Sequence, residues 1–235
     1  MSEHQHLSTQ FDADLDSVCS RVLHMGGLVE RQINRAIEGL GNGDLDLLQS
    51  VVTGDHEVNA LEVEIDQACS QLIAKRQPAA RDLRLIMAII KTITDLERAG
   101  DEADKIARMA RRMHTREGAP QLRVADLRRS AEDAVDMLHR ALDAFARLDT
   151  VAAAQIVRED RTIDDQFRAI LRQLITFVME DPRTISMVLE IVFIAKAIER
   201  IGDHAKNIGE YVIYIVKGTD VRHVTLEALE REALS

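Results

Sequence analysis

Two Glu-x-x-x-Asp motifs contain the side chains in this sequence that are best suited to chemistry. Glu97 lies four residues before Asp101, and Glu199 lies four residues before Asp203. Residues at this spacing share one face of a helix. Both motifs continue apolar stripes, so their carboxylates are expected to be partly buried, where charge is costly unless a cation or hydrogen bonds compensate it. The motifs therefore point to cation binding.

A second pair of oxygen-bearing side chains precedes the first motif. Asp55 precedes Pro78 by the same number of positions by which Asp101 follows it. Asn59 and Glu97 are likewise equally distant from this proline, on opposite sides of it. In antiparallel helices, equal distances from a shared turn mean equal heights along the bundle. We therefore predict one metal site from these two pairs.

The second motif has a matching pair on its own preceding helix. Asp160 and Asp203 lie at nearly equal distances along the chain from Pro182, on opposite sides of it. The same near-equality holds for Asp164 and Glu199. The argument from height therefore predicts a second site formed by four carboxylates.

Clustered carboxylates without thiolates suit hard or borderline cations such as Mg²⁺, Mn²⁺ or iron, and zinc is kept open. We expect the second site to bind more tightly, because Asp164 replaces the uncharged Asn59. Glu30 reaches the level of the first site by the same count about the turn near residue 43. Asn207 follows the second motif, and both residues are additional candidate ligands.

A simpler interpretation is that the motifs are solvent-exposed charges paired with Arg98 and Arg200. Duplication of the whole arrangement favours the metal interpretation over this one. Gly100 and Gly202 support it, because glycine inside a helix costs about 1 kcal/mol relative to alanine. Close approach of another backbone or of an ion cluster would explain both glycines. His204 points off the motif face and is interpreted as a surface histidine.

The elements that must position these residues are helices. Apolar residues make up 46% of the chain but aromatic residues only 3%, a composition typical of helical proteins. Three prolines and the apolar periodicity divide the chain. We predict helices at 8–42, 44–76, 78–115, 121–148, 149–180 and 182–217. Three long helices with short connections form an antiparallel bundle, and the chain does this twice.

The two bundles look like copies of one another. The segment Arg35–Glu38 resembles Arg140–Asp143 at an offset of 105, and the two Glu-Arg-x-Gly-Asp segments match at an offset of 102. We therefore predict an all-α fold of two tandem three-helix bundles, at 1–117 and 118–218, with a C-terminal tail at 219–235. The boundary is placed near Gly118. A single elongated six-helix domain is the alternative.

Charge and composition exclude several classes. The net charge of −10 argues against nucleic-acid binding, which needs a basic face. Cys19 and Cys69 form no disulfide framework. The N-terminus lacks the features of a signal peptide, and no apolar stretch is long enough for membrane insertion. We therefore expect a soluble cytoplasmic protein.

At these residues the chain resembles the PhoU family of phosphate-transport accessory regulators over essentially its whole length. The matching segments are Met25–Glu30, Ala74–Pro78, Arg81–Arg84 and both Glu-Arg-x-Gly-Asp motifs, the most characteristic being Glu199–Asn207. One departure is Asn59, where related sequences often carry Asp, so the first site loses a charge.

This resemblance implies a negative regulator of the phosphate-starvation response. Family members work with a phosphate-specific ABC transporter and a PhoR-type sensor histidine kinase, and carry two metal sites at the Glu-x-x-x-Asp motifs. We expect a regulatory interaction protein and not an enzyme, assembled as a homodimer. A bundle-core metalloenzyme and a purely structural scaffold are the alternatives. The enzyme would need an acid or base beside an open metal position, and the sequence offers none.

Overall fold

The computed structural model describes residues 3–76, 78–115 and 125–235. In these ranges the six long helices are α1 (Glu3–Asn42), α2 (Leu45–Arg76), α3 (Ala80–His114), α4 (Ala125–Arg147), α5 (Thr150–Glu180) and α6 (Ile185–Lys217). A short 3₁₀ turn, Pro182–Thr184, precedes α6, and a seventh helix, α7 (Leu226–Leu234), follows it. The predicted all-α fold with six long helices is therefore confirmed.

Local chemistry explains where the helices begin and end. The carboxylate of Asp149 accepts hydrogen bonds from the backbone N–H groups of Val151 and Ala152, so it caps α5. Gly43 has a φ of +73°, which a glycine adopts without strain as the chain leaves α1. Such caps satisfy the backbone groups that a helix end leaves without partners.

The helices form two antiparallel three-helix units, α1–α2–α3 and α4–α5–α6, around apolar interiors. The units join mainly through α3 and α6, with a smaller contact between α1 and α4. Glu102 pairs with Arg200, and Arg112 pairs with Glu190. Because the residue number rises on one helix as it falls on the other, α3 and α6 are antiparallel. The predicted boundary near Gly118 lies outside the described residues.

The C-terminal segment contains a helix that the apolar periodicity did not reveal. Thr225 caps α7, and Leu229 and Ala233 are buried. The hydroxyl of Thr150 donates a hydrogen bond to the carbonyl of Ala233 at 2.8 Å, and Arg158 pairs with Glu230. The predicted tail therefore packs on α5. Its nine residues are too few for a periodic pattern to identify a helix.

Cys19 and Cys69 are both free. Within the described ranges, no helix is both long enough and apolar enough to cross a membrane.

Candidate functional site

The two pairs predicted for the first site lie together on α2 and α3. The side-chain amide of Asn59 donates a hydrogen bond to Asp55 Oδ2 at 3.0 Å. Burial and the nearby Asp101, Glu62 and Asp55 raise the pKa of Glu97. Burial, and then Asp55, raise the pKa of Asp101. The four side chains therefore share one electrostatic environment, which we call the first cluster.

Several oxygen atoms at the first cluster are buried without a hydrogen-bond partner in the structure as described. They are Gln32 Oε1, Asp55 Oδ1, Asn59 Oδ1 and Asp104 Oδ1. Asp104 also raises the pKa of Asp101, which places it at the edge of the cluster, and its other oxygen pairs with Arg108. A buried acceptor without a donor is unfavourable. These oxygens therefore favour a positively charged ligand.

Gly100 faces this group of oxygens. A Cβ at Gly100 would lie 3.4 Å from Gln32 Oε1 and 3.9 Å from Asp55 Oδ1. The corresponding Gly202 faces the side chain of Ile163, at 3.3 Å. Neither glycine is needed for the approach of another backbone, so that part of the prediction is wrong.

The donor set of the first cluster fits a hard divalent cation. In the described part of the chain, no three histidine, cysteine, aspartate or glutamate side chains are arranged to hold a metal ion. The fit rests instead on partnerless buried oxygens beside Glu97 and Asp101, two carboxyls whose pKa values are raised by burial and by neighbouring carboxylates. Oxygen ligands of this kind are those that Mg²⁺ and Mn²⁺ prefer.

The second set, which we call the second cluster, is also brought together, but with lysines among its carboxylates. Lys206 Nζ donates to Asp160 Oδ2 at 2.8 Å. Lys196 Nζ donates to Glu199 Oε1 at 2.6 Å. Burial, Glu199 and Asp160 raise the pKa of Asp203, whereas the two lysines lower it. Asp160 and Glu199 of this cluster therefore already have ammonium partners.

Asp164 lies at the margin of the second cluster. Arg168 approaches it at 3.6 Å, one turn further along α5. The prediction of tighter metal binding here rested on the extra charge of Asp164. Because this charge faces an arginine, and its neighbours face lysines, the geometry favours the first cluster for metal binding.

The two additional candidate ligands make other contacts. Glu30 Oε1 lies 3.2 Å from Nδ1 of His139 on α4. Asn207 donates to Asp95 Oδ1 on α3, at 3.0 Å. On α1, it is Gln32 that reaches the first cluster. A count from a turn gives height but not rotation about the helix axis, and rotation separates Gln32 from Glu30.

A buried polar network at the α3–α6 contact was not foreseen. Asp95 is only 3% exposed and accepts hydrogen bonds from His204 Nδ1 at 2.8 Å, the Tyr211 hydroxyl at 2.8 Å and Asn207. The interpretation of His204 as a surface histidine is therefore wrong, since it is 5% exposed. A lone aspartate between Ile93 and Leu96 on the apolar face of α3 was the available signal.

The arginines that follow each Glu do not neutralise the motifs. Arg200 forms its ion pair with Glu102 of α3, at 2.9 Å. Arg98 is exposed and is the last of the influences on the pKa of Glu97. The alternative of motif charges paired with these two arginines is thus not what the structure contains.

Comparison with known proteins matches both halves of the chain to one family. The sequence profile described as the PhoU domain matches residues 22–110 and 127–212. The starts and the ends of these two matches differ by the same two offsets that relate the copies in the internal duplication.

Proteins that match this chain over almost its whole length have names from the same family. A protein of Burkholderia sp, named phosphate-specific transport system accessory protein PhoU homolog, is 53% identical over 98% of both chains. The phosphate-specific transport system accessory protein PhoU of Escherichia coli (strain K12) is 48% identical over 97% of this chain and 93% of its own. The crystal structure of PhoU from Pseudomonas aeruginosa has a TM-score of 0.85 at 46% identity, covering 89% of this chain and 100% of that chain.

Proposed function

Because this chain belongs to the PhoU family, we propose that it is an accessory regulator of phosphate transport. In this role it keeps the phosphate-starvation response repressed while phosphate is plentiful. The proposal rests on a match that covers almost the whole of both chains. A relative named as a phosphate-transport accessory protein matches 98% of this chain, and this chain matches 98% of that relative.

The partners that we propose are a phosphate-specific ABC transporter and a PhoR-type sensor histidine kinase, contacted at their cytoplasmic faces. The names of the relatives support the transporter, since they describe proteins accessory to such a system. The kinase is the natural target for a protein that reports transporter state to gene expression. A second copy of the chain is a further proposed partner. No catalytic step is proposed.

We also propose that the first cluster binds a divalent cation, with Mg²⁺ and Mn²⁺ as the first choices and iron or zinc as others. Asp55, Glu97 and Asp101 would supply carboxylate oxygens, and Asn59 an amide oxygen. The cation would neutralise repelling carboxylates and link α2 to α3. Its role is therefore structural, stabilising the bundle that presents the regulatory surface.

Deleting the gene in its native organism tests the regulatory proposal. A reporter of phosphate-starvation expression is measured in phosphate-rich medium. Expression should rise in the deletion strain and fall again when the wild-type chain is supplied. Continued repression in the deletion strain would contradict the proposal.

A further inference from the structure

The internal repeat places lysines in the second cluster at positions where the first half has an aspartate and a threonine. At the offset that relates the two motifs, Lys206 of the second cluster corresponds to Asp104 of the first. Lys196 corresponds to Thr94. Counting Asp104 at its edge, the first cluster contains four carboxylates and no lysine, with Arg108 pairing with Asp104. The second cluster contains four carboxylates and two lysines, with Arg168 beside Asp164. This difference in charge between the two clusters is larger than the single charge by which Asp164 differs from Asn59.

The lysines are held against the carboxylates that sequence reasoning assigned to a metal. Lys206 reaches from α6 to Asp160 on α5, so its ammonium group crosses between the two helices that a metal would connect. Lys196 contacts both oxygens of Glu199, which is 9% exposed. Its ammonium group also lies over the ring of Phe167 on α5.

The surroundings of Lys206 favour its charged form. Burial by itself would lower the pKa of Lys206, but the hydrogen bond to Asp160 and the neighbouring carboxylates raise it above its ordinary value. The ammonium group of Lys206 thus neutralises Asp160, and that of Lys196 neutralises Glu199, as a bound metal ion would.

We propose that Lys196 and Lys206 are built-in counter-ions of the second cluster, which keeps its carboxylates together without a metal. The chain then has one metal-dependent half and one self-compensated half, in place of two equivalent metal sites. The contrast between halves rests on the metal binding proposed for the first cluster, whereas the role of the lysines rests on their own contacts.

The charges around the two clusters support this division. A divalent ion entering the second cluster would meet two positive charges, and both would have to be displaced from their carboxylates. An ion entering the first cluster meets buried oxygen acceptors that have no donor. A tethered ammonium group is also already held in place, so it costs no loss of translational freedom on binding.

Mn²⁺ titration of two double variants tests the proposal. Calorimetry and the change in melting temperature on adding Mn²⁺ are measured for the wild-type chain, for Asp55→Asn with Asp101→Asn, and for Asp160→Asn with Asp203→Asn. We expect the first double variant to lose Mn²⁺ binding and the second to keep the wild-type affinity and stoichiometry. If the second double variant bound fewer Mn²⁺ ions per chain than the wild-type chain, the proposal would be overturned.

Exchanging residues between the repeats gives a reciprocal test. Lys206→Asp copies the first cluster into the second and should add a Mn²⁺ site, whereas Asp104→Lys should remove the site of the first cluster. Lys206→Met serves where Lys206→Asp does not fold. In the Lys206→Met chain, adding Mn²⁺ should raise the melting temperature by more than it does in the wild-type chain. A folded Lys206→Asp or Lys206→Met chain with no added response to Mn²⁺ would overturn the proposal.

These results separate the two proposals. A wild-type chain that binds no Mn²⁺, together with a Lys206→Asp chain that does, would support the lysines as counter-ions and contradict the metal site of the first cluster. Mn²⁺ binding that disappears with Asp160→Asn and Asp203→Asn, and survives Asp55→Asn and Asp101→Asn, would contradict both.

Discussion

At the scale of single residues, protons and metal ions compete for the first cluster. Burial and neighbouring carboxylates raise the pKa values of Glu97 and Asp101. A carboxyl whose pKa is raised on folding stabilises the fold while it is protonated, at low pH. That stability is lost as pH rises through the folded pKa. A cation restores it at higher pH, because it binds only the ionised form.

We therefore expect Mn²⁺ affinity to increase as pH rises through the raised pKa values of these carboxyls, because they ionise over that range. Mn²⁺ titrations across this range measure the effect. The stabilisation should reach about 2.7 kcal/mol at a hundredfold excess of Mn²⁺ over its dissociation constant. An affinity that does not change with pH would count against carboxylate ligands.

Glu210 gives a second pH effect, independent of the first cluster. Burial raises its pKa to about 7, while Lys206 and Arg222 act to lower it and Asp220 and Asp160 to raise it. Glu210 is 6% exposed on α6. Its contribution to stability is present below its unfolded pKa and is lost as pH rises through about 7.

The expected outcome is that Glu210→Gln removes this part of the decline in stability. Urea unfolding is measured at pH values below and above 7 for both chains. The wild-type chain should lose more free energy of unfolding over this interval than the variant. Equal losses in the two chains would show that Glu210 ionises as it does in water.

At the scale of elements, the Asp95 network fixes how α3 meets α6. Three side chains of α6 donate to this one carboxylate, and all four groups lie in the contact between the two bundles. Removing the carboxylate leaves His204, Asn207 and Tyr211 with buried donors that lack an acceptor. A buried donor left in this way costs about 1–3 kcal/mol.

Asp95→Ala should therefore lower the free energy of unfolding by roughly 3 kcal/mol or more, measured by urea unfolding. Asp143→Ala is the matched control, since Asp143 is exposed and pairs only with Arg147 on its own helix. It should change stability by less than about 0.5 kcal/mol. Similar effects in both variants would contradict the role of the network.

Sequence periodicity was sufficient to predict the six long helices and the heights of the clustered residues, but not α7. Prolines and apolar stripes gave the six long helices, and the count from Pro78 brought Asp55 level with Asp101. A count of residues gives neither the rotation of a helix about its axis nor the direction in which a long side chain reaches. For this reason Gln32 was missed in favour of Glu30, and Lys206 was not foreseen as the partner of Asp160.

At the scale of the whole molecule, an apolar strip is exposed where α5 turns into α6. Its members are Ile175, Met179, Ile185, Leu189 and Phe193, each at least 48% exposed. The helices are antiparallel about Pro182, so Ile175 lies level with Leu189, and Met179 lies level with Ile185. A group of exposed large apolar side chains in one part of the fold is typical of an interaction site.

We expect this strip to contribute to the proposed homodimer. Leu189→Glu with Phe193→Glu should shift the mass measured by light scattering from dimer toward monomer. Val63→Glu is the control, since Val63 is similarly exposed (54%) but lies on α2 of the other bundle. A monomeric wild-type chain, or a dimer that survives the double change, would contradict this expectation.

If this chain regulates phosphate transport, as we propose, the rate of phosphate uptake depends on its presence. Uptake of labelled phosphate is measured in phosphate-rich medium for the native strain, a strain lacking the gene, and the deletion strain supplied with the wild-type chain. We expect faster, unrestrained uptake in the deletion strain and a return to the native rate on complementation. An uptake rate that is the same in all three strains would contradict it.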